Sequence, residues 1–395
     1  MRRQFVLLLG SRVTASLLQA VLFALLARTV APAVFGLVAA VTGVVGVVLV
    51  VTGAGLGTLV SRAHAQGRAD EVASAVRLTW VSGVLTATGC VLALGTWSAL
   101  ADAPAALLLV AVALTVERTT DAALNVPIAD GRVLASGWPV LLRRALAVAL
   151  LVAGLSAGLD PLWTYAGSML VGALAAQVMA RLLVPLDGRP TVPWRELVRS
   201  GSPYMWNTLA AQSRMLDTAV VASVLTPSAA GAYAAASKLV QPVLLVPQTI
   251  ASLVLPRAAR VDAAASRRMV RPLLLAGAAS VGVVVPLAFL APWLITLVMG
   301  EQYASSAGTF RVLLVGMPFV ALSAPLAAIL QGQGRPHVAA VIGVVFAVVL
   351  LVAVAAGAAL AGPVGAAAGL SVSFVARSVV LVVAVLRTPP AAQAD

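Results

Sequence analysis

Residues 27–63, ARTVAPAVFGLVAAVTGVVGVVLVVTGAGLGTLVSRA, align without a gap to residues 222–258, ASVLTPSAAGAYAAASKLVQPVLLVPQTIASLVLPRA. Eleven of the 37 positions are identical. Matches of Ala and Val come cheaply in an apolar chain. The weight rests on Pro32 with Pro227, Gly36 with Gly231 and Arg62 with Arg257. Each copy opens on a proline turn, runs apolar for more than the length of a membrane span, and stops at an arginine. Gly131-Arg132 and Gly334-Arg335 repeat at a slightly different offset, each after a fourth span. These repeats mark the chain as an internal duplication.

The composition sets the solvent. The chain has 395 residues, of which 61% are hydrophobic and 10% charged, and its mean hydropathy is +1.05. A soluble domain of this size needs far more charge to cover its surface. A span needs roughly 20 mostly apolar residues, and about twelve such runs follow one another: 5–27, 34–60, 73–97, 104–128, 138–157, 163–185, 200–225, 228–256, 272–298, 306–331, 336–360 and 363–387. Ala31-Pro32, Asp102 to Pro104, Asp160-Pro161, Thr226-Pro227 and Gly362-Pro363 separate them as turns. The run from Phe5 to Ala27 is too long for a signal-peptide core and belongs to the repeat, so it reads as the first span.

The net charge of +13 comes from 25 Arg and a single Lys. These residues lie between apolar spans, so they report topology rather than a nucleic-acid partner. With the N-terminus cytoplasmic, 19 of the 26 basic residues fall on cytoplasmic connections or span ends, among them Arg62, Arg143, Arg144, Arg189, Arg257 and Arg335. Arg28 and Arg311 lie near the other side, and five basic residues lie inside spans. Both termini are then cytoplasmic, in a multi-pass protein of the plasma (inner) membrane. Six spans per half is an even number, so the halves enter the membrane in the same sense. The fold expected is an all-α polytopic membrane protein of about 12 transmembrane helices in two parallel six-helix bundles around a central cavity. The bundles are residues 1–185 and 200–395, the latter ending in a short cytoplasmic tail. A connection at 186–199 joins them along the membrane interface.

Cys90 is the only cysteine, which excludes an internal disulfide and a cysteine metal cluster. His64 and His337 stand far apart in polar connections. No metal site, cofactor or catalytic residue is expected. Ser237 precedes the only lysine, so no phosphate loop and no ATP motor is present.

Charged groups inside a bilayer are costly and usually face a cavity. Arg12, Ser16 and Gln19 share one face of the first span, and Asn207, Arg214 and Asp217 share one face of the seventh. At the offset of 195, Asn207 corresponds to Arg12 and Arg214 to Gln19. Lys238, Gln241 and Gln248 lie on one face of the eighth span, opposite Gly43, Gly46 and Gly53 in the repeat. The fourth span carries Glu117, Arg118, Asp121 and Asn125, and the twelfth carries Arg377. Two roles stay open for several of these. Arg12 and Arg377 either face a cavity or snorkel to the headgroups. Arg118 either faces a cavity or pairs with Asp121 at i+3. Arg214 has the same choice with Asp217.

The ordered stretches Ala27-Arg28-x3-Pro32-x2-Phe35-Gly36, Gly55-Leu56-Gly57, Leu216-Asp217, Thr226-Pro227-x3-Gly231-x-Tyr233, Lys238-Leu239, Leu255-Pro256, Gly300-Glu301-Gln302-Tyr303, Gln333-Gly334-Arg335 and Gly362-Pro363-x-Gly365-Ala366-Ala367 run over nearly the whole chain. Their pattern resembles the polysaccharide flippases (O-antigen and exopolysaccharide repeat-unit flippases) of the multidrug/oligosaccharidyl-lipid/polysaccharide exporter (MOP) superfamily. The resemblance implies alternating access and a polyprenyl-pyrophosphate-linked oligosaccharide as substrate, held by cationic side chains. Membrane lipids and polysaccharide biosynthesis enzymes are the implied partners. Arg12, Gln19, Asn207, Arg214, Lys238 and Gln241 fit the anion site, and Asp217, Glu117 and Asp121 fit ion coupling. The chain departs from the pattern in lacking an acidic residue before the glycines of the second span. It also has about twelve spans rather than the fourteen of lipid II flippases. The alternative reading is a drug or organic-cation antiporter of the same superfamily. A sugar polymerase or ligase is disfavoured because every external connection is short.

In a Cys90→Ser background, cysteines introduced by Gly158→Cys and Pro363→Cys are expected to react with an impermeant external thiol reagent, and Arg189→Cys is not. The opposite sidedness would invert the orientation.

Overall fold

Prolines and glycines decide where the helices begin, break and fold back. The computed structural model describes residues 2–130, 132–184, 188–241, 250–251, 254, 258 and 263–387. Gln248, Leu255, Pro256 and Arg257 lie outside the described residues. The elements are α1 (Arg2–Thr29), α2 (Pro32–Thr52), α3 (Leu56–Ala65), α4 (Ala69–Ala101), α5 (Leu107–Ala123), α6 (Asn125–Ala129), α7 (Val133–Ser156), α8 (Pro161–Leu183), α9 (Trp194–Gln212), α10 (Asp217–Val224), α11 (Pro227–Val240), α12 (Ala263–Arg268), α13 (Val270–Phe289), α14 (Ala291–Met299), α15 (Ala307–Gly332) and α16 (Pro336–Leu386). No strand occurs among the described residues. The chain is an all-α polytopic membrane protein.

Seven helices are long and apolar enough to cross a bilayer by length and composition. The last, α16, has 51 residues, or roughly 76 Å of helix, far longer than a bilayer is thick. It leaves helical geometry at Ala361 and Gly362 and folds back, giving two spans. Its arms touch backbone to backbone: Gly357 meets the Gly365 carbonyl, and Gly369 meets the Ala353 carbonyl, with no room for a Cβ at either glycine. Such approach suits helices in lipid, where packing rather than water exclusion holds them together.

Four of the expected spans are interrupted rather than continuous. The run 34–60 breaks between α2 and α3, where Ala54 and Gly55 take positive φ of 45° and 71°. The run 104–128 breaks at Leu124, three residues before Pro127 removes a helical donor. The run 200–225 passes through a 3-10 turn at Ser213–Leu216. The run 272–298 breaks at Leu290 before Pro292.

By packing, the first unit comprises Met1–Val30 and Val38–Met215. In it α1 lies on α7, α7 on α8, α8 on α5, and α5 on α4. A core of Leu56, Leu59, Val60, Val72, Leu124 and Leu197 joins α3 to its neighbours. Helix α9 belongs to this unit because Gly55 and Gly201 admit each other's backbone: a Cβ on Gly201 would strike the Ala54 carbonyl. The connection 186–199 is tied to α4. Its Arg189 amide donates to the Asp70 carboxylate (2.8 Å) and its Val192 amide to Ser74 Oγ (3.0 Å), both in the first turns of α4. Helix α9 already starts at Trp194 and buries Leu197.

The second unit comprises Ala31–Leu37 and Leu216–Asp395. Here the duplicated turns meet. Pro32 opens α2 and Pro227 opens α11, each at a first-turn position that needs no donor. Gly36 faces the Pro227 carbonyl and Gly231 faces the Pro32 carbonyl, a reciprocal crossing that no Cβ would fit. Phe35 packs edge-on against the buried Tyr303, their ring centres 5.8 Å apart. Helix α15 packs on α16, with Leu326, Ile329, Leu330, Leu381 and Val385 in their core.

Large apolar side chains such as Leu85, Leu182, Phe289 and Leu360 are exposed, as lipid-facing residues are. All seven tryptophans are exposed, which suits residues that anchor a protein at the headgroup level.

Candidate functional site

The charged residues of α5 sort by direction. Glu117 and Asp121, one turn apart, face α7. Arg144 grips Glu117 with both terminal nitrogens (2.8 and 2.9 Å). Arg143 does the same to Asp121 (2.8 and 3.4 Å). Glu117 is buried and Arg144 is 15% exposed, whereas Asp121 is 42% exposed and Arg143 only 8%. A cavity of about 280 Å³ opens beside the outer pair, bounded in part by Ser11, Asp121, Asn125, Ser136 and Arg143. Thr119 and Thr120 donate to Gln177 Oε1 on α8.

This arrangement corrects two expectations. The i+3 pair of Arg118 with Asp121 does not form, because a planar guanidinium from a facing helix can meet the carboxylate with a two-pronged fork. Arg143 and Arg144 do not sit on a cytoplasmic connection or span end. Helix α7 starts at Val133, five residues before the expected span start, so they stand about 15 Å along it. Two carboxylates and two arginines in adjacent spans were the available signal. The late span start hid it.

In the second unit, Asp217 is buried at the start of α10. Its carboxylate accepts from Tyr233 Oη (2.9 Å), Ser237 Oγ (3.3 Å), Thr218 Oγ1 (3.0 Å) and the Thr218 amide. Lys238 follows Ser237 on α11 and is also buried, and Gln241 directly follows that helix.

The expected anion-site residues fall as follows. Arg12 lies in α1 and Asn207 in α9, but their side chains lie outside the described residues. Gln19 and Arg214, which occupy equivalent positions of the duplication, share a property. Gln19 Oε1 and Arg214 Nη2 are each buried without a hydrogen-bond partner among the described residues. Arg214 forms no ion pair there. Arg377 Nε, on the second arm of α16, is a third such atom. Native proteins rarely strand buried polar atoms, and each case calls for an explanation such as a ligand or water. His64 is accounted for structurally by Asp130 (2.6 Å).

A family model described as polysaccharide biosynthesis protein matches residues 25–308. The chain belongs to this family. No curated protein matches it. Among solved structures, an inward-facing multidrug resistance MATE family transporter of the MOP superfamily gives a TM-score of 0.75 at 13% identity, covering 94% of this chain and 96% of that one. The lipid II flippase MurJ in an inward closed conformation gives 0.74 at 11% identity, covering 97% and 88%. A MOP superfamily transporter from Pyrococcus furiosus gives 0.66 at 13% identity, covering 98% and 96%. The family is one of polysaccharide biosynthesis, the likeness to these solved structures shows that the chain shares their fold, and its apolar helices make it a multi-pass membrane protein.

Breaking an α5–α7 pair is expected to be costly, because it leaves one charge without its partner. Arg144→Met strands the Glu117 carboxylate, and the loss of stability should reach about 3–5 kcal/mol, with much of it recovered in the Glu117→Leu/Arg144→Met double variant. Unfolding titrations in mixed micelles measure both. A single variant as stable as wild type would show that the pair contributes nothing.

Proposed function

We propose that the protein is an alternating-access flippase that moves a polyprenyl-pyrophosphate-linked oligosaccharide across the plasma membrane for polysaccharide biosynthesis. One observation carries this reading. The carboxylates of α5 are occupied by Arg143 and Arg144. The remaining charges inside the spans are then Arg12, Arg118, Arg214, Lys238 and Arg377 against Asp217 alone. A membrane interior with that excess suits an anion. A pyrophosphate has several acceptor oxygens for charge-assisted hydrogen bonds, and its polyprenyl tail stays in the lipid. The unsatisfied Arg214 Nη2 and Gln19 Oε1 suit the phosphates and the sugar hydroxyls respectively. Glycosyltransferases and polymerising enzymes of the same biosynthesis are the implied partners.

A drug or organic-cation antiporter would need an uncompensated carboxylate, and Glu117 and Asp121 are not available for that. Asp217 remains the candidate for ion coupling, since its donors are hydroxyls and one amide that can reorganise when it is protonated or binds a cation.

The test is flipping of a polyprenyl-pyrophosphate sugar in proteoliposomes, with folding checked by thermal melting. Arg214→Ala/Lys238→Ala is expected to lose tenfold or more in apparent affinity, since hydrogen bonds to charged groups contribute about 1.5–3 kcal/mol each. Asp217→Asn should abolish the dependence of rate on pH or sodium. Wild-type flipping by the folded double variant would overturn the anion-site reading and favour the antiporter. A wild-type dependence on pH and sodium in Asp217→Asn would remove that residue from coupling.

A further inference from the structure

Helix α5 has a different partner in each direction, except at Arg118. Glu117 and Asp121 face α7. The methyls of Thr115 and Thr119 lie against Gly83 of α4. Thr120 reaches Gln177 of α8. At about 100° per residue, Arg118 points away from all three. It points to the end of α2, where its Nε stands 3.8 Å from the place a Cβ on Gly53 would take. It makes no ion pair and no side-chain hydrogen bond among the described residues. Both carboxylates on its own helix are held by arginines from α7.

Depth makes this notable. Helices α5 and α6 follow one another from Leu107 to Ala129 with a break at Leu124, and Arg118 is eleven residues from either end of that stretch. That is about 16 Å of helix in each direction. Within the span expected over residues 104–128, Arg118 is ten residues from the nearer end, a depth at which snorkelling is hard. An uncompensated cation at this depth is costly and marks a path or a site. The guanidinium lies beside the end of α2, at ordinary van der Waals distance from where a Cβ on Gly53 would sit. The break after Gly53 stops α2 from continuing past it.

We infer that Arg118 is a substrate-binding residue, a guanidinium that meets the phosphate anion as it crosses the middle of the membrane at the α2–α3 break. This rests on the flippase reading and adds to its anion site a residue on α5, outside the residues expected there. The α5–α7 ion pairs then act as positioning contacts: by occupying Glu117 and Asp121, they keep Arg118 unneutralised.

The experiment is calorimetric binding of farnesyl pyrophosphate, with farnesol as the uncharged control, to the purified full chain in nanodiscs. The variants are Arg118→Ala, Arg118→Met and Arg118→Lys. Alanine and methionine are expected to weaken binding of the pyrophosphate about tenfold. Lysine should restore most of it, and weak farnesol binding should not change. Thermal melting should show both neutral variants at least as stable as wild type, because a cation without an ion pair among the described residues is removed. Equal pyrophosphate affinity in wild type and Arg118→Ala would overturn the role of Arg118 alone. No pyrophosphate binding by wild type would overturn the flippase reading itself. Failure of the alanine and methionine variants alike to fold would mark Arg118 as structural and overturn the inference.

Discussion

In hydrocarbon there is no water to satisfy a stranded carboxylate, so Glu117 and Asp121 must find their counter-charges inside the protein. They find them on α7, in two fork-shaped contacts with Arg144 and Arg143. Much in the first unit depends on that choice. It fixes the register of α5 against α7. It leaves the polar cavity bounded by Asp121, Asn125 and Ser136 open on one side of the outer pair. It also decides which cations in the spans stay available to a passing anion. Buried ion pairs contribute little net stability, because desolvation offsets most of the attraction. Their consequence here is specificity of packing and of charge.

Glycine does in this protein much of what large core side chains do in water-soluble ones. Lipid offers no hydrophobic drive for one helix to leave it for another, so close van der Waals approach must supply the attraction. The arms of α16 touch through Gly357, Gly365 and Gly369, and the duplicated turns cross at Gly36 and Gly231. The second case joins evolution to mechanics: two positions that match by duplication also pack on one another. A motif that survives in both copies is therefore explained by one contact that needs both.

Two of the buried polar atoms without partners among the described residues are related by the same duplication. Gln19 and Arg214 correspond across the repeat, and each holds a stranded atom. One is an acceptor and the other a donor, so the two halves have diverged in chemistry while keeping a polar position. An amphipathic substrate with phosphates and sugar hydroxyls offers both kinds of partner. Asp217 differs, since four donors already satisfy its carboxylate. A group so arranged is suited to holding or releasing a small cation rather than to gripping the anionic substrate.

Apolar runs, proline turns and the repeat were enough to settle the class of fold. Each is local or periodic: a run long enough to cross a bilayer needs no tertiary information, and Pro32, Pro227 and Gly362 act through their own backbone geometry. The turn at 361–362 lies at the predicted boundary for this reason. The breaks inside spans were less legible, because Gly53 to Gly55 and Ser213 to Leu216 look apolar or helical until a neighbour such as Gly201 takes the space. Ion pairing was decided by tertiary structure alone. From sequence, Arg118 has Asp121 one turn away, and Arg143 and Arg144 look like a basic stop at the membrane edge. Only the packing of α7 along α5 brings the better-oriented guanidinium groups to those carboxylates, and geometry outweighs proximity in sequence when the alternative is an unsatisfied charge in lipid.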